Sequence, residues 1–209
     1  MRFIPVLSIH AGSRALFLNT KSGCFCTEND RFCSETDVFC RLLRMGATLI
    51  SLQFASSAGS GGTAWLAIPP GVDAGQPTAG VLVLPGHGGT AEEVVKGSDG
   101  IYTYGLQMLA RGWVVLAVDI ESHSLRHRLQ LQGERVSTGQ PLMGQRVADM
   151  LAGVSVLAAR PEVDASRLGT VGLSLGGEAV MHIAALDTRL KVAVSSGWPV
   201  IPLEKPIVY

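Results

Sequence analysis

From residue 46 onward the apolar residues fall into short runs, and the spacing within each run separates strands from helices. Residues 48–54 alternate, with Leu49, Ser51 and Gln53 set against Ile50, Leu52 and Phe54, as in a strand with two unlike faces. A Gly/Ser turn at 58–62 leads to a second strand at 63–68, ended by Pro69-Pro70, and the two predict a hairpin. Residues 80–84, 113–120 (apart from Asp119 at its C-terminal end) and 167–173 are apolar without alternation, the pattern of strands buried on both faces of a parallel sheet. Residues 191–195 read as one more buried strand.

Between these runs the period lengthens to that of a helix. Tyr102, Leu106, Leu109 and Ala110 share one face, with Gly112 placed as a C-terminal cap. Val147, Met150, Leu151, Val154 and Leu157 make a stripe halted by Pro161. Within a helix over 175–186, Ala179, Ile183 and Leu186 are spaced to face a sheet. A hairpin followed by alternating strands and helices predicts an α/β fold, with a mostly parallel sheet, helices on both faces and right-handed crossovers.

Residues 1–45 show neither period and hold all four cysteines, Cys24, Cys26, Cys33 and Cys40. The expected division is therefore a cysteine-containing leader over 1–45 and the α/β domain over 46–209. Four thiolates suffice for a zinc site, and two disulfides would suit an exported chain. Cys-x-Cys followed by two six-residue gaps is nevertheless not the paired Cys-x-x-Cys of a zinc ribbon, so no metal or cofactor is expected.

Composition narrows the function classes. Hydrophobic residues make up 47% of the 209 and charged residues 16%, as in a chain that buries a sizeable core. With 17 basic and 17 acidic residues, no nucleic acid or anionic membrane surface is expected as a partner. No apolar run approaches the ~20 residues that span a bilayer, so no membrane partner is expected either. The apolar stretch 3–9 after Arg2 is short and interrupted by Pro5, which favours the cytoplasm slightly over export.

In a parallel sheet, chemistry collects where strands end at their C-termini. Three features land there: His87-Gly88-Gly89 after 80–84, the segment from Asp119 to His127 after 113–120, and Ser174 after 167–173. Ser174 sits inside Gly172-Leu173-Ser174-Leu175-Gly176. A strand that turns this sharply into a helix forces the serine into a strained backbone conformation and holds its hydroxyl out of the sheet. A Cβ at Gly172 or Gly176 would collide where strand and helix cross. The first amides of the helix point at the same place, where negative charge can be held. A chain with 25 glycines matches Gly-x-Ser-x-Gly readily by chance, so the order of the three features carries more than the motif.

Taken together, His-Gly-Gly after the third strand and Gly-Leu-Ser-Leu-Gly-Gly after the fifth resemble the α/β-hydrolase superfamily. Arg160-Pro161-Glu162-Val163-Asp164 before the serine, and Ala185-Leu186-Asp187-Thr188-Arg189-Leu190-Lys191 after it, resemble its dienelactone-hydrolase and acetyl-xylan-esterase-like branch. The resemblance spans about residues 46–198. It implies a serine-dependent carboxylic-ester hydrolase that acts through an acyl-enzyme on small or carbohydrate esters, without a cofactor. Ser174 would be the nucleophile, and the backbone N–H groups of Leu175 and Gly89 would be the oxyanion donors.

One departure stands against that pattern. The family's acid and histidine follow the serine, yet downstream of Ser174 the only histidine is His182 and the only acids are Glu178, Asp187 and Glu204. His182 lies roughly 12 Å along the helix axis from the serine and faces away from it. The last strands of the fold, with the acid and the base, are thus expected to be missing, and the candidate substitute bases are His87, His123 and His127. Asp119 is expected to anchor the loop that follows it. The alternative is a non-catalytic α/β-hydrolase-like binding protein that has lost the triad acid and histidine. With no strand beyond it, 191–195 would present an open apolar edge, which predicts a homodimer through that edge.

Overall fold

Each inner strand supplies two cores at once, because successive side chains leave a strand on opposite faces. In β5 (Thr78–Leu84), Leu82 and Leu84 face one way and Val81 and Val83 the other; in β6 (Val114–Val118), Leu116 and Val118 oppose Val115 and Ala117. The structure is a computed structural model that describes residues 17–18, 25–26, 43, 46–55, 61–97, 101–120 and 142–197. Its main sheet has six strands in the order β3-β4-β6-β5-β7-β8, with β3 at Thr48–Ala55, β4 at Gly61–Ile68, β7 at Val163–Leu173 and β8 at Leu190–Ser196. The pairs β3–β4 and β4–β6 are antiparallel, and β6–β5, β5–β7 and β7–β8 are parallel. A separate two-stranded pair joins β1 (Phe17–Leu18) to β2 (Phe25–Cys26).

Helices cover both faces, as the alternating order predicts. On one side α3 (Leu142–Ala158) and α4 (Leu175–Leu186) bring Met150, Val154, Leu157, Ala179, Val180 and Ile183 against Leu82, Leu84 and Leu116. On the other, α1 (Ala91–Lys96) and α2 (Tyr104–Ala110) bring Val94, Val95 and Leu109 against Val81, Val83, Val115 and Val171. Short α1 is held by its start. Thr90 Oγ1 accepts from the Glu93 N–H at 3.0 Å, and Glu93 Oε2 accepts from the Thr90 N–H at 2.8 Å. After α2 the chain reverses at Gly112, whose φ of +81° suits glycine.

Several expectations need correction. The strand at 191–195 is present but exposed along its length rather than buried, with Val192 63% and Val194 48% accessible. Among the described residues nothing pairs with its outer edge. Leu186 is exposed, and Val180 takes the buried place on α4 instead. Ala110 is likewise exposed, while Gly105 and Leu109 are buried. The helix α1 between 90 and 97 was not foreseen, because six residues with only two valines facing the sheet give too short a stripe to read.

Candidate active site

The site is built where β5, β6 and β7 end side by side. Leu173 closes β7, Leu175 opens α4, and Ser174 alone makes the turn, with φ 53° and ψ −116°. It is the single non-glycine residue with positive φ among the described residues. A serine in that region costs on the order of 1–3 kcal/mol, so the surroundings must impose it. Two contacts do so. A Cβ on Gly172 would overlap the Gly176 carbonyl, and one on Gly176 would overlap the Leu84 and Pro85 carbonyls. Strand, helix and the neighbouring strand end therefore meet backbone to backbone, as the two glycines imply.

Hydrogen bonds fix the turn from the β8 side. The Ser174 N–H donates to the Ser196 carbonyl at 2.7 Å, and Ser195 Oγ donates to the Gly177 carbonyl at 3.0 Å. The first helical bond runs from the Glu178 N–H to the Ser174 carbonyl at 3.0 Å. The amides of Leu175, Gly176 and Gly177 thus precede any carbonyl of their own helix. Glu178 lies near Arg146 of α3; burial holds the Arg146 guanidinium below its usual range and the Glu178 carboxylate offsets part of that.

The loop Pro85–Gly89 leaves β5 beside this turn. A methyl group placed on Gly86 would sit 3.2 Å from the Leu173 carbonyl and 3.5 Å from Ser174 Cβ. The Gly89 N–H donates to the Gly86 carbonyl at 3.0 Å, closing a tight turn within the loop. Just beyond it, the Ala91 N–H donates to Asp119 Oδ1 at 2.7 Å, and Thr63 Oγ1 donates to Asp119 Oδ2 at 2.7 Å. Asp119 thereby links the end of β6 to the start of α1 and to the hairpin. The loop 121–140, which Asp119 was expected to anchor, lies outside the described residues.

Two tyrosines complete the surround. Tyr104 Oη donates to the Leu84 carbonyl at 2.7 Å, and burial pushes its phenol up. Tyr102 lies over the loop: a Cβ on Gly89 would overlap its ring and hydroxyl, and a methyl on Gly86 would lie 3.3 Å from its oxygen. Burial pushes the Tyr102 phenol up, the Glu93 carboxylate adds to this, and the Gly86 backbone N–H opposes it.

The sequence-derived candidates fare unequally. Ser174, Leu175, His87 and Gly89 gather at one end of the sheet, with His87 exposed on its loop. His123 and His127 lie outside the described residues, as do Cys24, Cys33 and Cys40; of Cys26 only the backbone is placed. His182 is exposed on α4. Among the described residues no group of three or more His, Cys, Asp or Glu is placed to hold a metal ion, and no helix is long and apolar enough to cross a membrane. Tyr102, expected on a helix face with Leu106, precedes α2 instead, and neither it nor Gly86 nor Ser196 was singled out from sequence for the site. An aromatic residue at helical spacing reads as core, and nothing local marks it otherwise.

The chain is similar to several known proteins. The Bacillus subtilis (strain 168) protein YtaP is 31% identical over 127 residues, covering 56% of this chain and 42% of YtaP. A crystal structure from Bacteroides fragilis NCTC 9343 superposes with a TM-score of 0.59 at 20% identity, over 69% of this chain and 43% of that one. An acetyl xylan esterase from Paenibacillus sp. R4 gives 0.52 at 21% identity, over 78% of this chain and 59% of its own. The chain spans less than two thirds of the length of each of these relatives. The profile of the Dienelactone hydrolase family matches residues 63–204. The sheet order and this match lead to one assignment: the chain belongs to the dienelactone hydrolase family and has the α/β-hydrolase fold.

Proposed function

We propose that the chain is a serine-dependent carboxylic-ester hydrolase acting through an acyl-enzyme on small or carbohydrate esters. The observation that carries this reading is the backbone of Ser174, held at φ 53° at the mouth of a parallel sheet. Ser174 Oγ would attack the ester carbonyl carbon while an imidazole takes its proton, giving a tetrahedral oxyanion. Collapse would expel the alcohol, which recovers that proton, and leave an acyl-serine for water to cleave. The Leu175 N–H, at the open start of α4, is the first oxyanion donor. The second was expected from Gly89, whose N–H is engaged with Gly86 and would have to be released. His87, His123 and His127 are the proposed bases.

A fluorophosphonate probe tests the reading. Mass spectrometry should find the label on Ser174, and labelling that persists in Ser174→Ala overturns it. Single alanine substitutions of His87, His123 and His127 should identify the base by abolishing turnover of p-nitrophenyl acetate. The engaged Gly89 amide favours a second reading, a binding protein of the same fold, which would bind small esters without turning them over.

A further inference from the structure

The loop beside Ser174 has spent one of its expected donors, and a side chain stands in the gap. The Gly89 N–H points back to the Gly86 carbonyl at 3.0 Å. On the same loop, a methyl group built on Gly86 would touch two groups at once, Ser174 Cβ at 3.5 Å and Tyr102 Oη at 3.3 Å. Phenol oxygen and Ser174 Cβ therefore border the same point beside Gly86. Gly89 must be glycine for the same reason, since its missing Cβ is where the Tyr102 ring and hydroxyl lie. The position is half-buried, so a hydrogen bond made there is less weakened by water than one on the open surface.

We propose that the Tyr102 hydroxyl is a side-chain hydrogen-bond donor to the substrate oxygen that becomes anionic when Ser174 attacks. This rests on the esterase reading above and adds a catalytic residue to it. A phenol suits the task because it donates a short O–H···O⁻ bond and stays protonated at neutral pH. Its ring is fixed beforehand by Gly89, so little reorganisation accompanies the reaction. The competing role is structural, in which the ring wedges the loop and the hydroxyl only accepts from the Gly86 N–H.

Two variants of the full 209-residue chain separate these roles. Tyr102→Phe keeps the ring on Gly89 and removes only the hydroxyl, whereas Tyr102→Leu removes the wedge. Tyr102→Phe should slow fluorophosphonate labelling of Ser174 and lower kcat on the order of 10²-fold. KM should change little, and loss of the Gly86 N–H contact should lower the thermal midpoint by no more than about 4 °C. Labelling by Tyr102→Phe within about twofold of the parent, with loss only in Tyr102→Leu, overturns the proposal in favour of the wedge. A second measurement covers a chain that does not label at all, the result that defeats the esterase reading. With 3-fluorotyrosine at position 102, phenylboronate, which forms a tetrahedral anion on serine, should shift the fluorine resonance in the parent and not in Ser174→Ala. No shift in the parent overturns the Tyr102 proposal whatever the turnover.

Discussion

The amide of Ser174 is held by the carbonyl of Ser196, at 2.7 Å. The proposed nucleophile thus takes its position from the last residue of β8, the most exposed strand of the main sheet. Its backbone strain is maintained by an outside partner as well as by the crossing of β7 and α4.

Relief of that strain should separate stability from chemistry. Glycine adopts φ 53° without the steric penalty, at some cost in chain entropy. Ser174→Gly is therefore expected to raise the unfolding free energy by about 1 kcal/mol while abolishing probe labelling. Ser174→Ala keeps the Cβ and the strain, so it should lose labelling with no gain in stability. Urea titration of both variants checks this.

Asp119 uses both oxygens, one on the Ala91 N–H and one on Thr63 Oγ1. An amide at this position can accept at only one of the two places and loses the charge. Asp119→Asn should cost about 2 kcal/mol of stability. By loosening the start of α1, and with it the Pro85–Gly89 loop, it should also slow labelling of Ser174. Thr63→Val, which removes only the outer bond, should cost less and leave labelling near the parent rate.

The acid side of the stability profile should depend on Asp187. Hydrogen bonds from Arg189 hold its carboxyl below the usual carboxylate range, with burial opposing them and the Arg189 charge and backbone N–H adding to the effect. The native state then binds fewer protons than the unfolded chain between the two pKa values. The stabilisation is complete above the unfolded value of about 3.9 and is lost as pH falls through the lower native value. Asp187→Asn should flatten that acid limb, as followed by thermal melts from pH 3 to 6.

We further propose that a second copy of the chain pairs along β8. An antiparallel pairing centred on Ala193 would set Val192 against Val194 of the other copy, a self-complementary arrangement. Sedimentation equilibrium should detect a dimer, and Val192→Lys with Val194→Lys should dissolve it. A monomer at every concentration tested refutes the pairing.

How much was legible in the sequence follows from what is local. Residues 80–84 and 114–118 could be placed because a strand buried on both faces is apolar throughout. The serine turn could be placed because Gly172 and Gly176 stand four residues apart across it. The state of β8 could not be read, since Val192 and Val194 look the same whether or not a neighbour covers them. The engaged Gly89 amide and the place of Tyr102 escaped for another reason. Both depend on how the loop after β5 folds back on itself and on a side chain thirteen residues beyond it, relations that no run of apolar positions encodes.

The pairing of Leu84 with Gly172 brings together chain segments that are far apart in sequence. Closing so long a loop is costly before the register of β5 and β7 repays it. The hairpin and the β5–β6 crossover can assemble from nearer neighbours, but the serine turn and the Pro85–Gly89 loop meet only when this distant register locks. During refolding, competence to react with a probe at Ser174 should therefore emerge as a late event, after most helical signal has returned. A chain arrested midway would contain every residue of the site and still have no site.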